Sequence, residues 1–232
     1  MKLRSALVVA SWMILLQSCR CRKETPPPPA GRYDEVVGGL REGGLAHVST
    51  CEQDPWPEAE QRKYRDLPAK FGDDDERKAP VVELAKLDDP RLVSALRSRV
   101  FSKVIGKGTR GLSRPERALW LYDQLDGEVR NGGFHQYFSN SSGDCALSAL
   151  DALRTIGGKQ LLALYERALA VFPSSSPAED RQTRNEQMSR IPNEFEAWRT
   201  HDDEFYALKD VDKVVATFLR AHLAEMEESP AP

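Results

Sequence analysis

The stretch 131-NGGFHQYFSNSSGD-144 decides the fold of this 232-residue chain. It packs a Gly-Gly pair, three aromatics, a His, a Gln and a Ser/Asn/Gly turn into a short run, so it is either a ligand site or a corner between helices. Its N-terminal flank favours the corner. Ser113-Arg114-Pro115-Glu116 is a capping box, in which the Ser hydroxyl accepts an early backbone N–H and Glu116 reaches back to Ser113. Pro115 is tolerable in a first turn. Ala118, Leu121, Tyr122, Leu125 and Val129 then recur on one helical stripe. Asn131-Gly132-Gly133 reads as the end of that helix, with a Gly in the left-handed conformation. Phe134, Tyr137 and Phe138 share one face by their i, i+3, i+4 spacing, which predicts an aromatic plug at the junction with later helices. Asn140 to Asp144 read as a polar turn that caps the next helix. His135 and Gln136 fall on the other face, where contact with a partner stays open.

Working outward, Ala146, Leu147, Leu150, Leu153 and Ile156 mark a helix stopped by Gly157-Gly158. Leu161, Leu162, Leu164, Tyr165, Ala168, Leu169 and Phe172 mark another, stopped by Pro173 and three serines. A polar helix is expected around 178–189, a shorter one holding Phe195 and Trp198, and a last one at about 210–227 with Val211, Val214, Val215, Phe218, Leu219, His222 and Leu223. Toward the N-terminus, Val82, Leu84, Leu87, Leu92, Val93, Leu96, Val100 and Val104 keep helical spacing. Pro90 should split that run in two, and Gly106, Gly108 and Gly111 make a loop. No alternating strand pattern follows residue 80. The expectation is an all-α, compact domain of about six to eight helices over residues 81–228.

Hydrophobic residues at 40% and charged residues at 30% describe a soluble globular profile. Residues 111–232 hold 13 Lys and Arg against 20 Asp and Glu, a balance that disfavours nucleic acid bound through a broad basic face. The first eighteen residues form a leader: Lys2 and Arg4 precede the apolar run 6–16, which is too short to span a bilayer but suits a signal peptide. Leu16-Gln17-Ser18-Cys19 resembles the lipobox of bacterial lipoproteins. That resemblance implies acylation of Cys19, a bilayer as partner and, with Arg20 rather than Asp next in line, the periplasmic side of the outer membrane. An ordinary signal peptide with a chance Cys is the alternative. Residues 19–32 carry four consecutive prolines and read as an extended tether. Residues 33–80 read as irregular, interrupted by Gly38-Gly39, Gly43-Gly44, Pro55, Pro57 and Pro68. Export permits one disulfide among Cys21, Cys51 and Cys145, with the pairing open and one cysteine left over.

Few residues point to chemistry. The histidines His47, His135, His201 and His222 show no i, i+3 or i+4 pairing, and no Cys/His spacing suggests zinc. The Asp73-Asp74-Asp75-Glu76 run lacks the alternating ligands and central Gly of a calcium loop. Gly106-Lys107-Gly108-Thr109 lacks the full phosphate-loop spacing and a preceding strand. Cys145 lies close to His135 in sequence, but its place before an apolar helix argues for packing. Glu116 and Glu128 share a helix without evident facing geometry. His201-Asp202-Asp203-Glu204 could supply a metal ligand or a base, and is otherwise a solvated helix segment. No metal, cofactor or catalytic residue is assigned.

Glu128-Val129-Arg130-Asn131-Gly132-Gly133-Phe134-His135-Gln136-Tyr137-Phe138-Ser139-Asn140-Ser141-Ser142-Gly143 resembles the signature of the bacterial DNA mimic protein 19-like family, with Arg130 where that family usually has Asn. The likeness continues in Ala149-Leu150 through Gly157, in Ala168-Leu169-Ala170-Val171-Phe172-Pro173 and in Asp203-Glu204-Phe205-Tyr206, over roughly residues 90–225. The resemblance implies an all-helical fold and makes Glu128, Asn131, Gly132, Gly133, Phe134, Gln136, Tyr137, Phe138, Asn140, Ser141 and Gly143 the signature positions, structural or binding. The namesake imitates DNA with surface carboxylates and binds a transcription factor as a dimer, so a homodimer stays open here. Mimicry needs carboxylates spaced like phosphates, and an excess of seven acids over 122 residues is modest. The expected function is therefore a membrane-tethered, non-catalytic protein-interaction module. The alternatives are an acidic domain binding a basic protein, and an envelope hydrolase using His135 or His201.

Overall fold

The computed structural model describes residues 51–64, 79–173 and 175–226. The leader, Cys19, Cys21, the proline tether, His47 and the 73–76 acidic run lie outside the described residues. Helices are α1 Glu58–Tyr64, α2 Val81–Leu84, α3 Asp89–Lys107, α4 Arg114–Ser139, α5 Ala146–Ile156, α6 Lys159–Ala170, α7 Arg181–Met188, α8 Arg199–Ala207, α9 Val211–Ala221 and α10 Leu223–Met226. Short 3-10 turns at Thr109–Gly111 and Ser141–Cys145 flank α4. The fold is all-helical, with no strand among the described residues. None of their helices is long and apolar enough to cross a membrane.

The boundaries follow from local chemistry. Asp88 accepts the Arg91 N–H at 3.0 Å and Pro90 occupies the first turn of α3, where its missing N–H has no partner to lose. The apolar run therefore splits at Pro90 as expected. The capping box at α4 is anchored by Glu116, which accepts the Ser113 N–H at 2.8 Å. Lys103 of α3 donates to both oxygens of this buried carboxylate, at 2.9 and 3.0 Å, and so ties α3 to the start of α4. Helix α4 is the central element: it packs against α3, α5, α7 and α8. Helix α9 buries Val215, Ala216, Phe218 and Leu219 and lies along α3.

Three boundaries differ from the sequence expectation. The stretch left irregular contains the helix α1. The short helix expected around Phe195 and Trp198 is absent: residues 192–198 form turns and the helix starts at Arg199. Positions three apart share a helix face, yet Phe195 is 72% exposed and Trp198 is fully buried. Pro192 and the left-handed Asn193 (φ 52°) set the turn instead. The last helix breaks at His222 (φ −120°, ψ 13°) into α9 and α10.

Candidate functional site

The corner opens at a kink, not at a helix end. Gly132 (φ −165°, ψ 27°) and Gly133 (φ 75°, ψ 179°) leave helical geometry, after which the chain resumes the helix through Ser139. The positive φ is confined to Gly133, where any L-side chain would be strained, and a Cβ there would collide with the Asp202 carboxylate. Asp202 of α8 accepts the Phe134 N–H at 2.7 Å, capping the resumed helix from a remote element. The Tyr206 hydroxyl donates to the Val129 carbonyl at 2.8 Å. It thus satisfies the carbonyl that the Gly133 N–H would have bonded in an unbroken helix. Burial raises the Asp202 pKa above its usual range, against the pull of the Phe134 N–H.

Past the kink, the signature closes on a buried carboxylate. Glu128, 4% exposed, accepts from Gln136 Nε2 at 2.6 Å, Asn140 Nδ2 at 2.9 Å and Ser142 Oγ at 3.3 Å. A buried carboxylate has to be matched by donors, and the signature supplies them at i+8, i+12 and i+14. Gln136, which the sequence left open to a partner, is thus engaged within the fold. The 140–144 turn does not cap α5 with a side chain; its polar groups turn inward to Glu128 and Arg184. Arg184 of α7 is fully buried and fills its five-donor guanidinium. Nε donates to the Phe138 carbonyl at 2.6 Å, Nη1 to the Ala178 and Glu179 carbonyls at 2.8 Å, and Nη2 to the Asn140 carbonyl at 2.9 Å and to Asp144 at 2.6 Å. A Cβ at Gly143 would sit 2.8 Å from the Tyr137 and Phe138 carbonyls and 2.9 Å from Arg184 Nε, so this close approach requires Gly.

The aromatic plug forms as its spacing predicts. Phe134, Tyr137 and Phe138 are buried against Tyr165, Phe172, Trp198 and Phe205. The polar tips are placed: Trp198 Nε1 donates to the Ala168 carbonyl at 2.9 Å and the Tyr165 hydroxyl to the Ala146 carbonyl at 2.8 Å. Burial pushes the Tyr137 and Tyr165 hydroxyls above their ordinary range.

What remains at the surface is small. His135 is half-buried, its ring 4.4 Å from the exposed Phe195 ring, and its Nε2 lies 4.0 Å from Glu194. Asn131 is half-buried and Ser141 exposed. His201 and His135 both act electrostatically on Asp202, yet no hydrogen bond joins either ring to it among the described residues. His201 Nδ1 is buried without a partner, and burial lowers its pKa. His222 Nδ1 lies 2.6 Å from Glu225. Cys145 forms a disulfide with Cys51, Cα to Cα 4.8 Å, so it offers no free thiol. Thr109 is buried and hydrogen-bonded to Gln53, which takes the Gly106–Thr109 stretch away from phosphate binding. The described residues contain no group of three or more His, Cys, Asp or Glu able to hold a metal. Sequence reasoning missed Arg184 and the roles that Asp202 and Tyr206 play at the kink. Arg184 had no signal, because an arginine in a polar helix looks solvated; the other two lie in or beside the Asp203–Tyr206 segment.

The buried Glu128 cluster, the Gly-Gly kink and the aromatic plug are one structural signature, and residues 110–222 match the family described as DMP19-like protein. The chain carries a DMP19-like domain. No curated protein and no solved structure matches it. The DMP19-like stretch begins in the 3-10 turn after α3 and ends at the break after α9. Helices α1 to α3 and the segment around Cys51 therefore lie N-terminal to it.

Proposed function

We propose that this protein is a lipid-tethered envelope lipoprotein whose DMP19-like domain acts as a non-catalytic protein-binding module. The observation that carries the binding reading is the exposed Phe195 against His135 of the signature, whose other polar groups are engaged inward. Gln136, Asn140 and Ser142 all donate to Glu128, and Cys145 is locked in a disulfide. Phe195, at 72% exposure, stands over His135. A large aromatic at the surface is the residue type that anchors protein interfaces. The Cys51–Cys145 bond supports an oxidising compartment, in keeping with the lipobox at Cys19.

Labelling with a palmitate analogue tests the anchor: label is expected on the wild type and lost in Cys19→Ala, and an unlabelled wild type sinks the lipoprotein reading. Partner capture from solubilised envelope tests the module, with specific partners lost on Phe195→Ala. Hydrolytic activity that disappears in both His135→Ala and His201→Ala would instead favour the envelope hydrolase.

The second reading, favoured by the family, is a DNA-mimic-like surface for a basic protein. Against it, cations sit among the surface carboxylates: Arg154 beside Asp151 and Glu166, Arg167 on Glu204, and Arg199 on Glu196. Such an array is already partly neutralised. Salt separates the two readings, since binding of a basic partner by surface carboxylates weakens as salt screens the charges, whereas an aromatic anchor is much less sensitive.

A further inference from the structure

We propose that the Cys51–Cys145 disulfide is a redox-controlled clasp that latches residues 51–57 onto the corner of the helical domain and frees them when a protein dithiol reduces it. The two cysteines are 94 residues apart in sequence, so local connectivity does not hold them together. Cys51 is buried, and Cys145 closes the 3-10 turn whose Asn140, Ser142 and Asp144 engage Glu128 and Arg184. The bond therefore joins the N-terminal segment to the turn in which the signature ends.

Besides the disulfide, hydrogen bonds and ring contacts seat the segment. The Gln53 N–H donates to Thr109 Oγ1 at 2.8 Å, the Thr109 N–H to the Gln53 carbonyl at 2.9 Å, and the Trp56 N–H to the Ile105 carbonyl at 3.1 Å. Arg110 pairs with Glu52 at 2.8 Å in an exposed position, where ion pairs contribute little. The Trp56 ring meets Phe101 edge-on at 6.5 Å, and Phe101 stacks on Trp120. The aromatic plug and the Lys103–Glu116 tie between α3 and α4 are built from other residues. Release should therefore be local, and would uncover the Phe101–Trp120 strip.

Cys145 is the more exposed of the two residues, so attack is assigned to its side of the bond. One thiolate of the reductant attacks Cys145 Sγ, forming a mixed disulfide and expelling Cys51 as a thiolate that takes a proton. The second thiolate of the reductant attacks the mixed disulfide and releases Cys145, which is protonated in turn. Two electrons and two protons pass from the dithiol, which leaves as a disulfide.

Hydrogen exchange read by mass spectrometry tests the clasp on the full chain, purified without reductant and compared before and after dithiothreitol and with the C51S/C145S double variant. Amides of residues 51–57 should exchange at least about tenfold faster in the reduced and double-serine forms, while those of α4 and α5 keep their protection. Unchanged exchange of the segment after reduction would overturn the proposal, because the backbone contacts would then suffice. Uniform acceleration across the domain would overturn it too, since the bond would be a global staple. Free thiols at both positions in the untreated protein would remove its basis.

Discussion

Gly133 carries the corner on a single backbone torsion. Its φ of 75° with ψ of 179° is open essentially to glycine alone, and the Asp202 carboxylate fills the space a side chain would need. Gly133→Ala should therefore cost at least about 1–3 kcal/mol from backbone strain alone, measurable by urea unfolding. Gly157→Ala, with open space around its Cβ, serves as the control for positive φ by itself. A second residue-scale test concerns Asp123, buried on α4 and paired with Arg97 Nε at 2.5 Å. Burial pushes its pKa up to about 7, with Asp126 and Asp212 adding to the rise and Arg97 opposing it. The folded protein then holds this proton more tightly than the unfolded chain, whose value is about 3.9. Stability from this group is fully present at low pH and declines as pH rises from about 4 toward 7. Asp123→Asn should flatten that part of the stability profile, and an unchanged slope would show that Arg97 keeps the carboxylate ionised.

At the scale of the element, Arg184 shows how a helix with little apolar surface is held. Helix α7 buries only Arg184 and Met188, yet the guanidinium ties it to the carbonyls at 138 and 140 and to Asp144. Arg184→Met would strand these acceptors and should cost about 3–5 kcal/mol, the scale of breaking a buried charge pair. Arg184→Lys should fail to restore the loss, because one ammonium does not reproduce the planar fork. This is also where legibility in the sequence ended. Helices α3, α4, α5, α6 and α9 were readable because their burial follows the helical period, and the capping box at Ser113 is local grammar. Phe134, Tyr137 and Phe138 were readable for the same reason. The partners of the signature were not. Asp202 and Tyr206 come from α8, 68 and 77 residues away, and no periodicity reports a contact made across the fold. The kink was misread as a helix end because the cap that restarts the helix is remote. The turn at 192–198 was misread because Phe195 and Trp198 have helical spacing but opposite environments.

For the whole molecule, the DMP19-like domain is built around a corner whose most specific residues face inward. Glu128 is the keystone of that arrangement, since three signature donors converge on it. The proposed binding face is the remainder: Phe195 and His135 at the surface, with carboxylates partly neutralised by arginines. These two roles separate experimentally, because a residue retained for chemistry or binding usually contributes nothing to stability or detracts from it. The most direct measurement is equilibrium urea unfolding of Glu128→Ala beside Phe195→Ala. Orphaning buried donors at about 1–3 kcal/mol each predicts a loss of roughly 3 kcal/mol for Glu128→Ala, whereas Phe195→Ala should stay within about 0.5 kcal/mol of the wild type. A Glu128→Ala protein as stable as the wild type, or more stable, would contradict the account and return the signature to the status of a functional site.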